Sequence, residues 1–158
     1  MDMVMILSAK YLFAVVVALA VIYFFLQKRK VQKEMLLFAV VSLPITYIVA
    51  KIAGHFYFDP RPFVVQHVAP LIPHAATNGF PSDHALISFA FAALLFIFNK
   101  KWGLLAGLVA IVVGISRVYV RVHSPIDIVG SFVIALSVAA LVANIIKKYL
   151  RVHLRQSE

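Results

Sequence analysis

The sequence predicts an all-α, polytopic membrane bundle of about five transmembrane helices, on the strength of three observations. Hydrophobic residues make up 63% of the 158 residues, and the mean hydropathy is +0.98, far above that of soluble proteins. The apolar residues gather in five runs delimited by charge: 11–27, 35–50, 85–98, 102–116 and 128–146. Several runs fall short of the roughly 20 residues that cross a bilayer, so the third observation, the charge between them, is needed. On a path that alternates across the membrane, Lys28, Arg29, Lys30, Lys33, Lys100, Lys101, Lys147, Lys148, Arg151 and Arg155 share one side, ten of the fifteen basic residues. The positive-inside rule makes that side cytoplasmic, with the N-terminus outside and the C-terminus in the cytoplasm.

Each element has a local reason. The first run is followed by Lys28-Arg29-Lys30 rather than a small-residue cleavage site, so it reads as an anchor and not a signal peptide. The second leads into residues 54–82, the one long connection, rich in Pro, His and aromatics. Pro60 and Pro62 flank Arg61 there and stiffen its backbone. The third run opens at Pro81-Ser82-Asp83-His84, where Ser82 suits an N-cap and the first-turn N–H groups form an anion site. The fourth closes on Ser116-Arg117. The fifth opens at Ser124-Pro125, with Asp127 three residues after the candidate cap. Residues 1–158 therefore read as a single membrane-embedded domain, with 54–82 as an outer loop carrying part of a site.

Composition narrows the chemistry. The absence of cysteine excludes disulfides and thiolate metal sites. The net charge of +9 lies in short clusters between apolar runs, a membrane-orientation pattern rather than a nucleic-acid face. The basic residues left over, Lys10, Lys51, Arg61, Arg117 and Arg121, fall on the outer side with Asp59, Asp83, His84, His123 and Asp127. Ionisable groups at the ends of apolar runs are costly and usually functional. Cations and helix N–H groups bind phosphoryl oxygens, and two histidines supply one nucleophile and one acid. Asp127 can reach one ring nitrogen of His123 and leave the other free. A plain capping box with a chance histidine explains that stretch equally well by itself. Two-metal phosphatase sites need several carboxylate or histidine ligands, and none cluster here, so neither metal nor cofactor is expected. His55, His67 and His74 read as bystanders at the site mouth, and Phe56, Tyr57, Phe58 and Phe63 as interfacial anchors. A transporter would spread its charges through the bilayer depth, whereas these sit at one end of each run.

Three motifs carry a resemblance. Ser116-Arg117, His123 and Asp127 match in full a Ser-Arg, five residues, His, three residues, Asp pattern; Pro81-Ser82-Asp83-His84 matches Pro-Ser-Gly-His with Asp for Gly; Arg61-Pro62 matches the end of Lys, six residues, Arg-Pro. The sequence thereby resembles the type-2 phosphatidic acid phosphatase superfamily of lipid phosphate phosphatases, and is most similar to its bacterial undecaprenyl-diphosphate phosphatase branch. The family spacing puts the lysine at Gly54, and Lys51 stands one helical turn earlier. The resemblance implies a six-helix core, here without its usual first helix, in a bacterial plasma membrane with the site on the extracytoplasmic side. It implies His123 as nucleophile, oriented by Asp127, with His84 as the acid for the departing lipid phosphate. Arg61, Arg117, Lys51 and Ser82 would hold phosphate oxygens. Asp83 would stand beside the phosphate, turned away from it or bound to a basic group such as Arg121. The implied partners are a polyprenyl or other lipid (di)phosphate substrate and membrane lipids, with no nucleic acid. A phosphatidate or phosphatidylglycerophosphate phosphatase, or a non-catalytic lipid-phosphate-binding relative, is the alternative.

Overall fold

The computed structural model describes residues 1–156, with side chains described to Ile146. The basic side chains at Lys147, Lys148, Arg151 and Arg155, four of the ten that set the expected orientation, lie outside the described side chains. Six helices follow in order: α1 (Asp2–Phe25), α2 (Arg29–Phe56), α3 (Pro62–Val65), α4 (Asp83–Phe98), α5 (Lys100–Tyr119) and α6 (Pro125–Gln156). Four of them, α1, α2, α5 and α6, are long and apolar enough to cross a membrane. At about 1.5 Å per residue, the 16 residues of α4 reach only about 24 Å, short of a hydrocarbon core of about 30 Å. Among the described residues the only strand-like pairing is an isolated bridge between Pro60 and Asn78.

Helix ends differ from the sequence-based bounds for identifiable reasons. The first helix starts at Asp2 rather than at residue 11, with an acidic residue in its first turn, where the helix dipole favours it. The Tyr119 hydroxyl donates to Asp2 at 2.8 Å and ties this end to α5. The loop expected over 54–82 begins three residues later, because α2 continues to Phe56. Its terminal carbonyls find a cap in Asn78, whose amide N–H groups donate to Gly54 O at 2.7 Å and Tyr57 O at 3.0 Å. At the opposite end of the bundle the turn from α1 to α2 is held by Gln27 and Gln32, which donate to Tyr23 O and Phe24 O.

The short helix α4 is the hub. It packs against α5, α6 and α1 and touches α2, whereas α5 and α6 barely meet each other, as do α1 and α2. Alanines let the backbones approach closely: Ala85, Ala90, Ala110 and Ala135 form one buried cluster with Phe89. Large apolar side chains point outward on every long helix, among them Leu104, Leu108, Ile111 and Ile115 of α5, the surface expected of helices solvated by lipid. The chain is an integral membrane protein. The C-terminal ends of α2 and α5 and the N-terminal ends of α4 and α6 meet at one end of the bundle, and every candidate site residue is there.

Candidate active site

The site is built on the five-residue turn between α5 and α6. Arg121 adopts φ 65° there, a left-handed conformation that costs a non-glycine residue on the order of 1–3 kcal/mol. The long loop clamps the turn: Leu71 N–H donates to Val120 O, Phe63 N–H to Arg121 O, and Arg61 Nη1 to Val122 O at 2.6 Å. His123 follows directly and is buried, 3% exposed. Its Nδ1 lies 3.0 Å from Asp127 Oδ2, which also accepts the Ser124 N–H at 2.9 Å. Asp127 stands in the first turn of α6, where negative charge is favoured. A carboxylate only accepts, so the ring proton sits on Nδ1 and Nε2 keeps its lone pair. Burial pushes the His123 pKa below its ordinary value, Asp127 opposes that, and Arg117 and Arg61 add to it. Ser124 was expected to cap α6 with its hydroxyl; instead the hydroxyl donates to Asp59, and only the Ser124–Asp127 half of the capping box forms.

Two arginines flank this histidine, each held by several partners. Arg61 donates from Nη1 to Val122 O, with His123 Nε2 3.4 Å away, and from Nη2 to Asn78 O at 3.1 Å. Arg117 donates from Nη1 to Ala9 O of α1 at 3.2 Å and from Nη2 to His74 at 3.2 Å. In both, Nε is buried without a protein partner, a cost that an incoming oxyanion would remove. A cavity of about 420 Å³ lies before them, lined by both arginines, His123, His84, His74, Lys51 and Asp83. His84 packs edge-on against Phe13 of α1, ring centroids 4.8 Å apart. Among the described residues its ring nitrogens have no protein partner, so they remain available to a ligand.

The remaining expected residues have mixed positions. Ser82 precedes α4 as expected, but its hydroxyl caps nothing and is buried without a partner, 0% exposed and behind the cavity wall. Its carbonyl accepts from Ser131, which also donates to Asp127 O, so Ser131 locks α4 to α6. Asp83 does not pair with Arg121; Lys51 Nζ lies 3.4 Å from its Oδ1, with both side chains more than half exposed. Gly54 explains why no lysine stands there: a Cβ would lie 2.7 Å from Phe80 O. Gly79 is equally constrained, since a Cβ would come within 2.7 Å of Asp127 Oδ2. Among the described residues no group of three or more His, Asp or Glu could hold a metal ion.

Sequence reasoning missed Asn78 and the contributions of α1. The Asn78 amide uses all of its hydrogen-bonding capacity, donating to two carbonyls of the α2 end and accepting from the Asp59 and Phe80 N–H groups. The Asn-Gly pair marks a turn in the sequence, but its partners lie 19 to 24 residues away. Phe13 and the Ala9 carbonyl carry no sequence signal at all, being apolar residues within an apolar run.

A family sequence profile described as the PAP2 superfamily matches residues 35–151. The chain belongs to the PAP2 superfamily. Undecaprenyl-diphosphatase BcrC of Bacillus subtilis is 37% identical over 102 residues, covering 65% of this chain and 51% of that protein. YbjG of Escherichia coli K12 is 34% identical over 139 residues, covering 87% of this chain and 69% of YbjG. The chain thus spans about half the length of BcrC. The crystal structure of Aquifex aeolicus LpxE superposes with a TM-score of 0.74 at 21% identity, over 90% of this chain and 85% of LpxE, a likeness of fold. The PAP2 match begins within α2, so α1, which supplies Ala9 and Phe13 to the site, lies ahead of it. The two departures from the PAP2 motifs meet in space, since the displaced Lys51 pairs with the substituted Asp83.

That pairing has a measurable consequence. An exposed ion pair contributes under about 1 kcal/mol, so Asp83→Asn leaves the detergent-state Tm within a few degrees of wild type. Lys51→Ala raises KM for a lipid phosphate substrate about tenfold with kcat within a few-fold, the pattern of a lost ground-state contact. A collapse of kcat in Lys51→Ala, with KM unchanged, would assign Lys51 to the transition state instead.

Proposed function

We propose that the protein is a metal-independent lipid phosphatase that hydrolyses the terminal phosphate of a lipid diphosphate, undecaprenyl diphosphate first among them, at the extracytoplasmic face of the membrane. The observation that carries this reading is the buried His123–Asp127 pair, with Nε2 left free beside two arginines whose Nε groups lack partners. The BcrC name supports the substrate class, and the positions of Lys28, Arg29, Lys30, Lys33, Lys100 and Lys101 support the orientation.

The steps follow from the geometry. Arg61 and Arg117 bind the nonbridging oxygens of the terminal phosphoryl group and offset the charge that develops on them. The His123 Nε2 lone pair attacks phosphorus as the bond to the bridging oxygen breaks, and His84 gives its proton to the leaving lipid phosphate. Asp127 stabilises the positive charge that appears on the phosphorylated imidazole. His84, now neutral, takes a proton from water, whose oxygen attacks the phosphohistidine, releasing inorganic phosphate and restoring neutral His123. No electron changes hands, and one water is consumed for each phosphate released.

The reading is tested by phosphate release from undecaprenyl diphosphate by the detergent-purified chain in EDTA, against a panel of phosphatidate, phosphatidylglycerophosphate and shorter prenyl diphosphates. Turnover in EDTA with preference for the polyprenyl diphosphate supports it. Preference for a monophosphate moves the assignment to a phosphatidate-type phosphatase. No turnover on any member overturns the enzyme and leaves a lipid-phosphate-binding relative.

The pH behaviour of the nucleophile is a separate expectation. His123 is reactive when neutral, and burial lowers its pKa. It therefore stays neutral at pH values where an ordinary histidine, with a pKa near 6.5, is half protonated. Titration of histidine-labelled protein by 15N NMR, assigned through His123→Ala, places the His123 midpoint below about 6.5. A midpoint above that value would mean that the Asp127 contact outweighs burial.

A further inference from the structure

His74 reads from the sequence as a bystander, yet it forms part of the cavity wall. Its ring stands edge-on to that of His123 at a centroid distance of 6.1 Å. Neither of its nitrogens is directed into the cavity as a free acid or base. Nε2 lies 3.2 Å from Arg117 Nη2, and Nδ1 lies 3.4 Å from Ala75 O. Arginine has no acceptor and remains charged, so Nε2 is the acceptor in the first contact and Nδ1 carries the proton toward the carbonyl. The imidazole must be neutral to do this. Its surroundings agree: burial lowers its pKa, and Arg61, Arg117 and His123 disfavour a further positive charge. His84 of α4 is the other titratable neighbour around the cavity.

We propose that His74 is a positioning residue for Arg117: with the Ala9 carbonyl on Nη1, its Nε2 on Nη2 fixes the guanidinium so that the unpartnered Nε edge meets a phosphoryl oxygen. The physical case rests on what an arginine loses when it binds. Its side chain carries about 2 kcal/mol of rotamer entropy. A guanidinium held at both Nη groups before substrate arrives has already lost that freedom, and loose placement of such a group by about 1 Å costs up to about 10²-fold in rate. The two holders come from α1 and from the loop, elements that neither Ser116-Arg117 nor its own helix supplies. His74 thus links a residue within the phosphatase motifs to a segment outside them.

This inference rests on the phosphoryl-transfer reading of the same site, so its test must separate the two. The proteins are wild type, His74→Ala, His74→Asn, His74→Gln, Arg117→Lys and the Arg117→Lys/His74→Ala double variant, all as full chains in detergent. A glutamine amide oxygen reaches about as far as Nε2, whereas an asparagine amide ends near Nδ1. The expected result is a fall in kcat/KM of about 10- to 100-fold in the alanine and asparagine variants, with glutamine restoring activity to within a few-fold of wild type. In the Arg117→Lys background, His74→Ala costs less than about twofold more, because residues acting through one contact are not additive.

Glutamine as impaired as alanine, or a full additional loss in the Arg117→Lys background, overturns the proposal. If the alanine variant does not fold, the asparagine and glutamine pair decides. If wild type releases phosphate from no lipid, the phosphatase reading fails, and calorimetric titration with inorganic phosphate still tests His74. Weaker binding in His74→Asn, but not in His74→Gln, supports it, and equal affinities overturn it.

Discussion

His123→Ala releases phosphate at least on the order of 10³-fold more slowly than wild type, since removing a nucleophile leaves only binding and electrostatic stabilisation to accelerate the reaction. The expectation is specific to this histidine because of its geometry: Nδ1 is committed to Asp127 at 3.0 Å and Nε2 is left beside the cavity. A label experiment makes it sharper. Substrate carrying 32P in its terminal phosphate, quenched in base during turnover, leaves label on wild-type protein in an acid-labile, base-stable form and none on His123→Ala. His84→Ala leaves a protein that can still be labelled, because His84 acts on the leaving group and on water rather than on phosphorus. Label retained in His123→Ala would move the nucleophile elsewhere. No label in any protein, despite turnover, would favour direct attack by water.

Asp127→Asn is the second large effect, a loss of about 10³- to 10⁴-fold in kcat by analogy with the carboxylate–histidine pair of serine proteases. The carboxylate accepts from His123 Nδ1 and from the Ser124 N–H through the same oxygen, Oδ2. An asparagine can turn its amide N–H toward the ring, which puts the proton on Nε2 and removes the lone pair that would attack. The shape of the site is kept, so binding of inorganic phosphate by calorimetry changes by less than a few-fold while turnover collapses. Loss of phosphate binding together with turnover would mean that Asp127 holds the site together rather than setting a tautomer. Steric pressure is a second consequence of the same packing. With Gly79 so near Oδ2, residue 127 has little room to move, so the larger Asp127→Glu does not rescue.

How much of this was legible in the chain depends on how local each signal is. The membrane class and the all-helical fold follow from composition and run length, because the bilayer forces backbone groups to pair within each segment. The gathering of Arg61, His84, Arg117, His123 and Asp127 at one end of the bundle follows from alternating crossings. The His123–Asp127 contact was readable as an i,i+4 pair at a helix start. Helix ends were less legible. Residues 54–56 look like loop beside the prolines and aromatics that follow, and they stay helical because an asparagine 24 residues from Gly54 supplies a cap to its carbonyl.

The contacts that aim the charged groups were not legible. Arg117 belongs to a recognisable motif, but what it touches, the Ala9 carbonyl and His74, lies 108 and 43 residues away in the chain. Nothing about an alanine in an apolar run, or one of several loop histidines, announces such a role. Asp83 shows the same limit. Its charge beside a phosphate site was an oddity until the fold set Lys51 against it.

The sequence by itself therefore determined the class of the protein, its helices and the identity of its reactive groups, since hydropathy, capping and motif spacing act over a few residues to one span. Only the tertiary structure decided which way those groups face and which are held. Hydrogen bonds between distant segments have no periodicity to read, and they form only once α1, the long loop and the α5–α6 turn pack around α4.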